Sequence, residues 1–157
     1  MTTKIVNAAP GRAGRLRPSV LAWLRLARVY HKISHRSEDQ MRCHGLSMAQ
    51  FDVLAHVGAA PGVTQQELAN SLLVTKGNVC QLLDRMQLAD LIERRQEGRA
   101  NRLFLTARGE ELFQEIVPAH EDLIAEQLSA LSPGQQNELL DLVRRLDQSL
   151  DAPSCSR

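Results

Sequence analysis

Aromatic residues are nearly absent from this chain, which has three Phe, one Tyr and one Trp among 157 residues. The interior must therefore be built from Leu, Val, Ala and Ile, which dominate the 43% hydrophobic content. No apolar run reaches the ~18 residues that a membrane span needs. The N-terminus lacks the apolar core of a signal peptide, so secretion is not expected. Cysteine is scarce as well. Cys43, Cys80 and Cys155 are odd in number and unrelated in spacing. They form neither a disulfide framework nor a CxxC metal pair, and a reducing cytoplasm is the expected compartment. HExxH is missing, and no cofactor is expected.

What is present is charge, sorted into blocks. The net charge of +1 conceals +7 over residues 1–47, −2 over 48–74, +3 over 75–108 and −8 over 109–152, with Arg157 adding the last +1. Such a chain can offer a basic face to an anion and keep its acidic face elsewhere.

The periodicities predict a mainly helical single domain over 17–151, between a flexible basic arm at 1–16 and a loose tail at 152–157. Pro18 suits the first turn of a long helix. Its stripe of Val20, Leu21, Leu24, Ala27 and Ile33 recurs at helical spacing, and Gly45 ends it. Ser47 with Gln50 forms a capping box for a helix that buries Phe51, Leu54 and Val57 and stops at Gly58. After a Pro-Gly turn, Thr64 with Glu67 caps a third helix whose inner stripe is Leu68, Ala69 and Leu72. Thr75 caps a fourth, from Lys76 to about Leu88, with Val79, Leu82, Leu83 and Met86 turned inward. Leu91–Arg95 and Arg102–Thr106 read as strands of a hairpin around QEGRAN, where Gly98 permits a tight turn. A helix from Ala107 to about Ala130 contains Pro118, expected to kink it or break one hydrogen bond. Ser132, Pro133 and Gln135 start a last helix carrying a seam of Leu139, Val143, Leu146 and Leu150.

The outer face of the fourth helix is suited to DNA. Asn and Gln pair bidentately with adenine in the major groove, and Arg or Lys with guanine. Asn78, Gln81 and Arg85 form such a set. Thr75 and Lys76 sit at the helix N-terminus, where free N–H groups attract phosphate. Arg94, Arg95, Arg99 and Arg102 surround the hairpin turn, and clustered Arg suits phosphate contact or a narrow minor groove; Arg94, Arg99 and Arg102 are the expected contacts. Any exposed helix carries some polar residues, and charged hairpins also protect sheet edges; the combination is less common than either part.

The segments GLSMAQFDVL, QQELANSLLVTKGNV, LLDRM, LIERR and RLFLTARG, between Gly45 and Gly109, resemble the MarR family of bacterial transcription regulators. The resemblance implies a winged helix-turn-helix over about 48–108, flanked by dimerisation helices over about 17–44 and 107–151. It implies a homodimer on a pseudo-palindromic double-stranded DNA operator, acting as a repressor released by a small-molecule effector or by oxidation. The chain departs from the family pattern in having Asp90 where Gly is usual and a shorter wing tip, Glu97-Gly98-Arg99. An effector pocket between the flanking helices and the winged lobe would draw on Trp23, Tyr30, His31, Phe51 and Asp52. For a redox switch the candidate is Cys43, beside Arg42 and His44, since cationic neighbours favour the thiolate; a small semi-buried packing residue is the plainer alternative.

Two other classes fit parts of the sequence. An enzyme or metal protein would use His31 and His35, at i, i+4 spacing. A dimeric interaction module without DNA binding would use the apolar seam and the acidic C-terminal block.

Overall fold

The computed structural model describes residues 16–72, 76–98 and 100–151. The tail at 152–157 and the basic arm, apart from Leu16, lie outside them, as do Thr75 and Arg99. The order is α1 (Pro18–Cys43), α2 (Met48–Ala59), β1 (Val63–Thr64), α3 (Gln65–Ser71), α4 (Lys76–Leu88), β2 (Ile92–Glu97), β3 (Ala100–Leu105), α5 (Ala107–Gln127) and α6 (Pro133–Asp151). This is a winged helix-turn-helix between long flanking helices, as the patterning implied.

Local chemistry sets most boundaries. The Ser47 N–H donates to Gln50 Oε1 at 2.9 Å and the Gln50 N–H returns to Ser47 Oγ at 3.3 Å. Thr64 and Glu67 make the same reciprocal pair at the start of α3. Each box satisfies donors that the first helical turn leaves free. The turn after α4 needs a left-handed residue, and Asp90 supplies it at φ 57°. Its carbonyl is held by the Thr106 hydroxyl at 2.5 Å.

Four details depart from expectation. α2 runs through Gly58 to Ala59, because the bare Gly58 Cα lies against the Phe113 ring, where a Cβ would sit 2.4 Å away. Val63–Thr64 forms a third strand that pairs with Leu103 and Arg102, giving the order β1-β3-β2. The hairpin pairs as far as Glu97↔Ala100, further toward the tip than the expected strand ends at Arg95 and Arg102. α5 is one helix that holds Pro118 inside it and ends at Gln127, short of the expected Ala130.

The core lies beneath the winged lobe. Leu54, Val57, Leu68, Val79, Leu83, Met86 and Leu103 are fully enclosed, each such side chain contributing about 1.5–3 kcal/mol by burial. The expected inner stripe of α4 is met by Val79, Leu83 and Met86, while Leu82 packs at the margin. The flanking helices behave differently. α1 buries only Ser37 and Met41. Leu139, Val143, Leu146 and Leu150 of α6 are 38–75% exposed.

Candidate nucleic-acid interface

α4 packs on the core through Val79, Leu83 and Met86, which turns Asn78, Gln81 and Arg85 into solvent on one face. Three and four residues apart, they stack along that face. Arg85 makes no ion pair among the described residues. Lys76 opens the helix.

The hairpin arginines divide into different tasks. Successive strand residues face opposite ways, so Arg94 shares the face of buried Ile92 and meets α4. Its Nη1 lies 2.6 Å from Asp84 Oδ1 and donates to Gln87 Oε1 at 3.0 Å; its Nη2 donates to the Cys80 carbonyl at 3.3 Å. The side chain is 21% exposed. The expectation of a DNA contact at Arg94 is therefore replaced by a strut between β2 and α4. Arg102 is half-committed. It bonds Glu97 across the hairpin, and its Nη1 donates to the Gly62 carbonyl at 2.9 Å. Arg95, a member of the hairpin arginine cluster that was not among the expected DNA contacts, faces the other way. Its guanidinium lies 4.3 Å from the Phe104 ring centroid and pairs with Glu93. The alternation of Ile92 with Arg94 carried the signal that separates the two arginines.

Thr64 holds Glu67 through backbone and side-chain hydrogen bonds, which keep its carboxyl below the ordinary carboxylate value. Gln65 Nε2 reaches Cys80 Sγ at 2.6 Å, tying α3 to α4.

The effector candidates do not converge on one place. Tyr30 and Asp52 line a crevice of about 490 Å³ between α1, α2, the end of α5 and α6. His31 lines a different depression with Lys32, His35 and Arg36. Trp23 stands 65% exposed, outside both. Phe51 is buried, its ring edge-on to His120 with centroids 4.6 Å apart. Burial raises the Asp52 carboxyl above its ordinary value, against the opposing pull of His56 and His120. Burial lowers His120, against Asp52 and Glu121. Gln40 spans α1 and α5, donating through Nε2 to the Ala119 carbonyl at 3.0 Å. Its Oε1 therefore accepts from His120 Nδ1 at 2.9 Å, which places the proton on that nitrogen.

Cys43 is exposed at the end of α1. His35 is engaged by Asp39 at 3.0 Å, and no three metal-ligating side chains cluster among the described residues. No described helix is long and apolar enough to cross a membrane.

A MarR-family model matches residues 44–102. A protein of Bacillus cereus described as an HTH-type transcriptional regulator is 33% identical over 98 residues, covering 62% of this chain and 67% of its own. Among solved structures, AbsC, a MarR family transcriptional regulator from Streptomyces coelicolor, superposes with a TM-score of 0.79 at 22% identity, over 86% of this chain and 96% of its own. The S. aureus MepR–DNA complex gives 0.73 at 20% identity, over 83% and 98%. At these identities the two structures speak to the fold.

Proposed function

The chain belongs to the MarR family of transcription regulators, and from that premise we propose a homodimeric repressor that binds a pseudo-palindromic DNA operator and lets go when a small molecule enters the Tyr30–Asp52 crevice. The observation that carries this reading is the exposed Asn78, Gln81 and Arg85 face of α4 beside an arginine-bearing hairpin. In this reading α4 enters the major groove, where Asn78 and Gln81 read base edges and Arg85 takes guanine or phosphate. Thr75 and Lys76 approach phosphate at the helix start, and Arg99 at the hairpin tip reaches backbone or minor groove. Arg94 and Arg102 hold the wing at its angle. The MepR structure is a DNA complex, which supports the same use of the shared fold here.

Dimerisation is supported by the apolar faces of α1 and α6. Two-fold pairing sets the recognition helices to face half-sites about 34–36 Å apart.

Electrophoretic mobility shift against the DNA upstream of the protein's own gene tests the reading. A shift at low salt is expected; no shift with any genomic fragment would overturn it. Gln81→Ala should relax preference at particular bases by about 1–3 kcal/mol. Arg99→Ala should weaken all sequences alike and lower the salt slope by about 1.

A further inference from the structure

The crevice assigned above to the effector has an unusual electrical character. Its walls are apolar, from Leu26, Val29, Ile33, Met48, Leu139 and Val143, and its charged members are two carboxylates, Glu38 and Asp52. No Lys, Arg or His lines it. Neither carboxylate has an ion-pair partner among the described residues: the neighbouring Arg42 is taken by Asp39, and the other ion pairs involve different acids. Asp52 is half-buried, and burial works against its charged form. An ionised group in such a place is stabilised chiefly by an opposite charge brought close to it. Tyr30 adds an aromatic ring to the wall, a surface that attracts cations and not anions.

We propose that this crevice selects a lipophilic organic cation: a bulky apolar molecule bearing one positive charge, which lies toward Glu38 and Asp52 while the body of the molecule covers the aliphatic wall. An anion of the same shape would meet two carboxylates with no Lys or Arg on the lining to offset them; the histidines that act on Asp52, His56 and His120, lie outside the crevice wall. The inference rests on reading the crevice as the effector site, and it adds the sign of the ligand's charge.

Tetraphenylphosphonium and tetraphenylborate share a shape and differ in charge sign, so they isolate the point. Isothermal titration of the full-length protein should show the phosphonium binding at least about tenfold tighter than the borate, a difference of about 1.4 kcal/mol. Combining Glu38→Gln with Asp52→Asn, both near-isosteric, should remove most of that preference. Borate binding as well as phosphonium, neither ion binding, or a preference unchanged in the double variant would overturn the proposal. The comparison of the two ions needs no variant, so it stands if the double variant fails to fold. Release of labelled upstream DNA is read separately. Phosphonium that binds without releasing DNA upholds the charge preference and removes the effector reading. Release by borate alone does the reverse.

Discussion

Asp52 holds a charge where the surroundings oppose it. Its raised pKa means that folding favours the protonated acid. That contribution is complete below the ordinary carboxylate value near 3.8 and is lost as pH rises through the higher value of the folded protein. At neutral pH the ionised group therefore costs stability. Asp52→Asn should raise the melting temperature at pH 7, and the gain should vanish in acid; calorimetry from neutral pH down to below the ordinary carboxylate value measures both. A lower melting temperature at pH 7 would mean that Asp52 is better solvated than its burial indicates. Arg94 shows the limit of reading single residues from sequence. Its charge and place near the wing suggested DNA, but its direction is fixed by the strand register and by Asp84 and Gln87 across the gap. Nothing within the hairpin segment reports those partners.

Among the elements, those defined by neighbours in sequence were legible. The two capping boxes and the α4 stripe depend on residues three or four apart, and each appeared where the pattern placed it. β1 was not legible: two residues become a strand only because Leu103 and Arg102 arrive beside them. The wing tip was read too long for a similar reason. Arg95 and Arg102 face each other across the hairpin, and Glu93 and Glu97 neutralise that pair, so the strands can zip further than their charge suggests. The join between the sheet and α5 is tighter still. A Cβ on Gly109 would lie 1.9 Å from the Leu91 carbonyl oxygen. Gly109→Ala must push α5 away from the sheet, and overpacking of this kind costs about 1–3 kcal/mol. Urea unfolding should show the loss; an unchanged midpoint would mean that α5 can slide at no cost.

At the scale of the whole molecule, the apolar faces of α1 and α6 are the part that one chain leaves unfinished. Exposed leucines along a full helix favour a second copy. Leu146→Glu with Leu150→Glu, both outside the crevice, should convert a dimer into monomers in sedimentation equilibrium while leaving the helical signal near that of the parent. The effector candidates were harder to read at this scale. Trp23, His31 and Tyr30 lie on one helix within three turns, yet helix rotation sends them in different directions.

Thr64 caps α3 and is also a rung of the sheet, opposite Arg102 of the wing. Helix α3 and the hairpin are thus geared together through Thr64 and its strand neighbours, and Arg94 closes the same loop from the other side through α4. Such a unit has little freedom to adjust its grip to the duplex. The adjustment falls to the DNA, whose groove width and bendability between the two contact points become part of what is recognised. Base pairs that the protein never touches would then influence which sites it occupies.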